Sequence, residues 1–269
     1  MANQGPDRLN VDSIAILDEA KNLGIKIVDT APAYGTAEKT IGQYHAKNAE
    51  FMVHTKISGG TDLSLKHVLQ SIEESMQNLK VSRIEVLYFH SPELLLSGRT
   101  SQSAQIIKSI RESGMVNKIG ASVYLEKEVE IISNDWPEIE VYQVPENILD
   151  QRLLNSEIIT RLSNSGILFY VRSIFLQGLL LMEQEQVSSH FPEAVDYLRN
   201  YKNYLLANNL SSLEATLSYL NLLTWASGFL IGVDSAAQLR EVLRNRENLL
   251  TEDTLPTPLP HPWVDPRNW

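Results

Sequence analysis

Ile25-Lys26-Ile27-Val28-Asp29-Thr30-Ala31-Pro32-Ala33-Tyr34-Gly35 is the stretch on which the reading of this chain turns. A short apolar run ends on a carboxylate, and a turn carrying Pro and Gly follows at once. Two later runs end in the same manner: Phe51-Met52-Val53-His54-Thr55 on Lys56, and Ile84-Glu85-Val86-Leu87-Tyr88-Phe89 on His90. Each reads as a strand closed by a polar residue. As neighbours in a parallel sheet, these strands bring Asp29, Tyr34, Lys56 and His90 out at one carboxyl edge. That edge is where α/β barrels and open α/β sheets place their chemistry.

Working outward, amphipathic helices and apolar strands alternate. Helical periodicity covers 11–23, 37–44, 65–79, 101–112, 126–133, 153–163, 193–206, 213–224 and 236–244, with β-rich runs near 25–28, 51–55, 84–89, 117–121, 139–144, 167–171 and 228–232. Most of these runs are apolar on both faces, as a parallel sheet covered by helices requires. They end at Asp29, Lys56, His90, Ala121, Gln143, Arg172 and Gly232, at steps of 22 to 34 residues and then one of 60. The shorter steps fit one βα unit each, and the last fits a unit with an added helix. Gly24, Gly114 and Gly166 each sit between a helix and a strand, a helix-stop signal. The expected fold is α/β, a TIM (β/α)8-type barrel with only seven barrel strands evident, forming one domain over residues 1–269. Residues 251–269 carry five Pro and read as an extended tail pinned by Trp263 and Trp269.

Composition narrows the function. The net charge is −10 and no block of Lys or Arg stands out, which argues against nucleic acid and anionic membranes as partners. There is no Cys, so neither disulfides nor thiol chemistry is available, and the cytoplasm is the expected compartment. No leader pattern is read at Met1. The longest near-apolar stretch, Leu222 to Val233, has 12 residues, against the roughly 20 that a bilayer span needs. His45, His54, His67, His190 and His261 lack metal-ligand spacing and read as structural or surface residues, so no metal is expected.

A phenol, an ammonium, a carboxylate and an imidazole at one edge suit proton donation. A free phenol has a pKa of about 10 and donates poorly at neutral pH. A neighbouring ammonium lowers that value, and a carboxylate keeps a buried ammonium charged. This is general-acid catalysis of carbonyl reduction, with Tyr34 as donor, Lys56 tuning it, Asp29 holding Lys56 and His90 orienting the carbonyl. The hydride must come from a cofactor. Taken singly, Asp29 is a turn residue, Tyr34 a packed aromatic, Lys56 a solvated charge and His90 a loop hydrogen-bonder. Their joint order outweighs those separate readings.

The same residues resemble the aldo-keto reductases. Asp-Thr-Ala-x-x-Tyr-Gly at 29–35, Thr-Lys at 55–56 and His90 match that family's Asp, Tyr, Lys, His tetrad in order and approximate spacing. Gly120-Ala121-Ser122 resembles the Gly-x-Ser-Asn turn whose Ser binds the nicotinamide amide, with Val123 in place of the Asn. Gln143-Val-Pro-Glu-Asn147 resembles the Gln-x-x-x-Asn motif whose Gln holds the same amide. Ser173-Ile-Phe-Leu176-Gln-Gly178 resembles a Ser-Pro-Leu-x-x-Gly motif, preceded here by Arg172 where an aromatic usually stacks on the nicotinamide. Arg172 either stacks by its guanidinium plane or changes the pocket. Gly232, Ser235 and Gln238 fall in the segment that resembles the family's adenosine-phosphate wrap. Many NADP-preferring members carry a Lys and an Arg there, which Gly232 and Gln238 replace, with Arg240 and Arg244 nearby.

The resemblance implies an NADP-dependent enzyme, with NAD as an alternative cofactor, that reduces an aldehyde or ketone, including a sugar-derived one. The rival is a catalytically silent nucleotide-binding or regulatory homologue, and a metal-dependent barrel hydrolase or epimerase is a third reading. The family's first strand and its Gly-Thr pair would precede Ala2-Asn3-Gln4-Gly5, and Gly5-Pro6 would break a strand there. Either the start is late or the strand is lacking. In the latter case the strands ending at Asp29 and Gly232 expose edges, and association into an oligomer and weak cofactor binding are expected.

Overall fold

The computed structural model describes residues 6–48, 51–57, 63–182, 195–244, 249–260 and 264. Two compact units are distinguished, Met1–Gln143 with Gly166–Leu168 and Gly232–Arg240, and Val144–Ser165 with Phe169–Ile231 and Glu241–Trp269.

The first unit alternates helix and strand in the order α1 (Pro6–Asn22), β1 (Ile27–Asp29), α2 (Ala37–His45), β2 (Met52–Ile57), α3 (Leu65–Leu79), β3 (Ile84–Phe89), α4 (Glu93–Leu96), α5 (Ser101–Glu112), β4 (Val116–Ser122), α6 (Glu126–Asp135) and β5 (Ile139–Pro145). The strand β5 runs two residues beyond this unit. Every strand pair, β1–β2, β2–β3, β3–β4 and β4–β5, is parallel. The sequence explains this: β2 from Val53 to Ile57 and most of β3 are buried, leaving no wet face. Helix starts are set by local chemistry. Ser64 caps α3 through His67 N, and Thr100 and Ser103 cap each other's backbone at α5. The helix at Pro6 begins five residues earlier than periodicity suggests, because Pro is at home in a helix's first turn. The short α4 was not expected from the sequence; it is a single turn after Pro92.

Glycines mark the tightest contacts. A Cβ on Gly42 would lie 1.9 Å from the carbonyl oxygen of Asn78, so α2 rests directly on the end of α3. A Cβ on Gly120 would lie 2.5 Å from the ring of Tyr88 and 2.7 Å from the carbonyl oxygen of Val141. The space over Gly120 is thus filled by Tyr88, whose hydroxyl lies 3.2 Å from Nδ1 of the buried His54. His45 is likewise structural, with Nδ1 2.9 Å from the carbonyl of Leu79 and Nε2 accepting from Phe51 N at 3.1 Å.

The second unit contains α7 (Glu157–Asn164), β6 (Leu168–Arg172, whose first residue falls in the first unit), a 3-10 turn at Leu176–Leu181, α8 (Val195–Ala207), α9 (Ser212–Leu220) and β7 (Gly228–Phe229). A last helix, α10 (Ala236–Arg244), starts in the first unit and ends in the second. β6 and β7 are parallel, which makes seven strands among the described residues. α7 starts later than 153, because 146–155 folds into turns: the carboxylate of Glu146 accepts from Leu153 N and Tyr219 Oη, and the side chain of Asn147 accepts from Leu149 N and Asp150 N. Burial first, and then the charge of Asp150, raises the Glu146 carboxyl well above its ordinary pKa. α9 stops at Leu220 rather than running to Thr224, and residues 221–226 form turns. β7 is shorter than 228–232: its ladder ends with Leu230 N on Val171 O, and the chain turns at Ser173, φ 60°. Gly232 therefore does not end a strand. Leu259 N bonds to Leu149 O and Gln151 Nε2 bonds to Pro256 O, so the tail up to residue 260 is an extended strap with one 3-10 turn at Glu252–Thr254. Trp263, Trp269, His190, His261 and Met1–Gly5 lie outside the described residues.

Two stability measurements follow from these contacts. Gly42→Ala should destabilise by about 1–3 kcal/mol in urea unfolding, the usual scale for forcing an atom into a filled site, since the obstructing atom is backbone. An unchanged midpoint would mean that α2 and α3 are not in this contact. Burial, then the charges of Lys56 and Lys118, pushes His54 down from 6.5 to about 4. Between those pH values the unfolded chain binds a proton that the folded chain refuses. Stability from this residue is present above pH 6.5 and is lost as pH falls to about 4, by about 3 kcal/mol in full. His54→Met should remove that part of the acid loss when urea midpoints at pH 7.5 and 4.5 are compared with wild type.

Candidate active site

Asp29 ends β1 and Lys56 lies on β2. Their side chains form an ion pair, Nζ to Oδ2 2.5 Å, with side-chain exposures of 3% for Lys56 and 16% for Asp29. Lys56 Nζ also donates to Thr30 O at 3.0 Å. Backbone bonds beyond the strand ends keep these residues level, with Thr30 N on His54 O and His90 N on Ile57 O. The turn Ala31–Tyr34 closes with Tyr34 N on Ala31 O, and Gly35 follows at φ 63°. That turn carries Tyr34 back over the strand ends, where its ring centroid is 5.1 Å from Lys56 Nζ. His90 meets Tyr34 edge to face at 6.2 Å between centroids. Tyr34 is 49% exposed while Lys56 is buried, so the phenol faces solvent and the ammonium stands behind it.

Beneath Lys56 lie two residues that the sequence reading did not assign to the site. The ring of Tyr88 is 6.0 Å from Lys56 Nζ, and His54 bonds to the hydroxyl of Tyr88. A sequence signal for them exists. His54 is two residues before Lys56 and so shares its sheet face, and Tyr88 is the register partner of Lys56 on β3.

Gln143 closes the site from β5. Its Nε2 donates to the second oxygen of Asp29 at 2.5 Å. Four steps between neighbouring strands separate β1 from β5, about 19 Å on a flat sheet. The two side chains and their bond reach roughly 11 Å. The sheet of this unit must therefore curl, and the bond spans its concave side. A register shift between Ile119 and Gly120 sets Ser122 opposite Gln143. Ser122 and Gln143 are 4% and 1% exposed, and Val123 N bonds to Gln143 O.

The other sequence-marked residues sit as follows. In the second unit, Arg172 ends β6 half-buried, and its Nη1 is 3.4 Å from Ser173 Oγ. Ser173, Leu176 and Gln177 have φ of 60°, 47° and 56°, followed by Gly178 at 88°. Three non-glycine residues at positive φ within five positions are strained, and such strain clusters at ligand clamps. Asn147 Nδ2 on Ser173 O helps to hold the segment. In the first unit, Ser235 Oγ accepts from Gln238 N, and Gln238 Oε1 accepts from Asp234 N, so this pair caps the start of α10. Arg240 is paired with Glu19 at 2.8 Å. Among the described residues no group of three or more His, Cys, Asp or Glu is placed to hold a metal ion, and no helix is long and apolar enough to cross a membrane.

Known proteins share this arrangement of elements. The sequence profile of the Aldo/keto reductase family matches residues 6–257. L-galactose dehydrogenase of Arabidopsis thaliana is 29% identical over 119 residues, covering 40% of this chain and 37% of that protein. The aldo-keto reductase YhdN of Bacillus subtilis is 23% identical over 226 residues, covering 76% of this chain and 66% of that protein. The chain thus matches between about a third and two thirds of the lengths of these relatives. The solved structure of a glycerol dehydrogenase from Gluconobacter oxydans superposes with a TM-score of 0.71 at 17% identity, over 93% of this chain and 84% of that one. That likeness bears on the fold, which is α/β of the (β/α)8-barrel type. Its profile match over nearly the whole length makes this chain a member of the aldo/keto reductase family.

Proposed function

We propose that this chain is an NAD(P)H-dependent oxidoreductase that reduces an aldehyde or ketone, sugar-derived carbonyls among them, to the alcohol. The observation that carries the reading is Lys56: a buried ammonium clamped by Asp29 at 2.5 Å and standing 5.1 Å from the ring of a solvent-facing Tyr34. Bound nicotinamide would supply the hydride. The protein's task is then to deliver a proton to the carbonyl oxygen. Tyr34 is its donor. The charge on Lys56 favours the phenolate that remains after transfer, and so makes the phenol a better acid. Asp29 keeps Lys56 charged and in place. His90, at the edge of Tyr34, is set to donate an N–H to the same oxygen and fix its direction. The catalytically silent alternative gives no reason for a buried ion pair behind an exposed phenol.

Several features favour a nicotinamide dinucleotide. Ser122 and Gln143 are neighbours in register and buried, and together they offer the donors and acceptors that a carboxamide needs. The strained turn from Ser173 through Leu176 to Gly178 suits close approach of a ligand. Arg172 is taken as a stacking contact. Gly232, Ser235 and Gln238 are assigned to the adenosine phosphate, with Ser235 at a helix N-terminus, where anions are favoured. A hydroxylated substrate is favoured because a relative is named L-galactose dehydrogenase. The single-domain reading belongs to this proposal, since the family profile runs through both units.

Tyr34→Phe should lower turnover at least about 100-fold, the scale of a lost general acid, with cofactor binding nearly unchanged. Lys56→Met should act on the same step. Steady-state rates with NADPH and glyceraldehyde check both, and wild-type turnover in Tyr34→Phe would remove the phenol from the mechanism.

Cofactor choice should be weak. A charge-assisted contact to a 2′-phosphate contributes roughly 1.5–3 kcal/mol. Gly232 and Gln238 offer no charge, and Arg240 is engaged by Glu19. Nicotinamide fluorescence titrations should give NADPH and NADH dissociation constants within about 100-fold of each other. A larger preference for NADPH would mean that a base such as Arg244 holds the phosphate.

A further inference from the structure

Lys56 stands between two phenol rings. The ring centroid of Tyr34 is 5.1 Å from its Nζ on the solvent side, and that of Tyr88 is 6.0 Å away on the buried side. The proposed reaction uses Tyr34 and leaves Tyr88 without a task. Yet Tyr88 is fixed from several directions. It is the register partner of Lys56 on the neighbouring strand, so both side chains leave the same face of the sheet. Its ring lies over Gly120, where a Cβ would come within 2.5 Å of it. Its hydroxyl is bonded to Nδ1 of His54, which shares that face two residues before Lys56. Burial, and then the charges of Lys56 and Lys118, keep His54 uncharged near neutral pH. A neutral imidazole holds Tyr88 without setting a second positive charge below the first.

We propose that Tyr88 is a positioning residue for Lys56: its ring closes the buried side of a cage that keeps the ammonium close to Tyr34. The inference rests on the oxidoreductase reading above and deepens it. Asp29 Oδ2 and Thr30 O hold the ammonium by hydrogen bonds from the strand ends. A Lys stem is flexible, and its charge is a compact point. A ring face within about 6 Å attracts such a charge, and more strongly out of water. The side chain of Lys56 is only 3% exposed, so the attraction acts at close to full strength. Without the ring, the ammonium has room to withdraw from Tyr34, and the phenol becomes a weaker acid. Tyr88 thus acts on the reaction only through Lys56. A residue that merely filled the core would matter equally with or without that charge.

The test compares Tyr88→Phe, which keeps the ring, with Tyr88→Leu, which removes it, each with Lys56 present and in Lys56→Met. The other titratable groups around Lys56 are unchanged throughout: Asp29 and Tyr34 after β1, His54 on β2, His90 after β3, and Lys118 on β4 acting on His54. The first readout needs neither cofactor nor substrate. Tyrosinate absorbance is titrated in each variant and in the same variant carrying Tyr34→Phe, and the difference gives the ionisation of Tyr34. Tyr88→Leu should lower the Tyr34 ionisation constant about threefold or more, within the range of a desolvated cation–ring contact. Tyr88→Phe should stay within about twofold of wild type, and in Lys56→Met the exchange to Leu should change nothing further. The second readout is kcat with NADPH and glyceraldehyde, which should follow the same pattern while NADPH affinity is unchanged. An unmoved Tyr34 titration in Tyr88→Leu, an equal loss in Tyr88→Phe, or the same effect in Lys56→Met would overturn the proposal. If wild type reduces no carbonyl compound while the titrations behave as expected, the oxidoreductase reading fails and the positioning of Lys56 stands. Should Tyr88→Leu fail to fold, Tyr88→Met removes the aromatic face with a longer side chain.

Discussion

An ammonium taken out of water destabilises a fold by several kcal/mol unless it is paired and hydrogen-bonded, and the side chain of Lys56 is only 3% exposed. Asp29 meets that demand, and Thr30 O accepts a second N–H. Much of the first unit is arranged around this pair. The strands β1, β2 and β3 must be parallel and level for Asp29, Lys56 and His90 to stand side by side. The sheet must curl for Gln143 to reach Asp29 from β5. Gly120 must lack a side chain so that Tyr88 can lie beneath Lys56 and against His54. Burial also keeps His54 uncharged near neutrality, which spares Lys56 a second positive charge two residues away.

The order of the polar strand ends is legible in the sequence because each closes an apolar run, and parallel strands covered by helices leave such runs unmistakable. Asp29, Lys56 and His90 could be placed at one edge from that alone, and Tyr34 from the Pro- and Gly-bearing turn that follows Asp29. The bond from Gln143 to Asp29 could not, since 114 residues separate them and the curvature of a sheet is not written in any one strand. The pairing of His54 with Tyr88 beneath Lys56 is not legible either, because a buried polar pair has no local signature beyond sheet-face alternation. The helix start at 157 differs from periodicity because side-chain bonds from Glu146, Asn147 and Ser156 outcompete helical ones over short spans, whereas α9 simply gives way to turns after Leu220. The β7 ladder is cut short because β6 leaves it at Ser173, a positive-φ residue that no pattern of hydrophobicity announces.

The same geometry separates two tasks. On the proposed mechanism, acid strength is set inside, by the charge of the buried Lys56, while the phenol that uses it faces outward. That division would let one proton-donating core serve different carbonyl compounds, because groups that select a substrate can vary without touching Asp29 or Lys56. Family membership is the ground for the proposed class of reaction, and the arrangement around Lys56 gives a physical reason why this chain would carry it out.

The most direct measurement of that claim follows the hydride itself. Purified protein is incubated with glyceraldehyde and NADPH deuterated at the reactive C4 position, and the product alcohol is examined by mass spectrometry and deuterium NMR. Deuterium is expected on the former carbonyl carbon, with solvent hydrogen on the oxygen. Cofactor binding without any deuterium transfer to glyceraldehyde, or to any of a panel of aldoses and simple ketones, would contradict it.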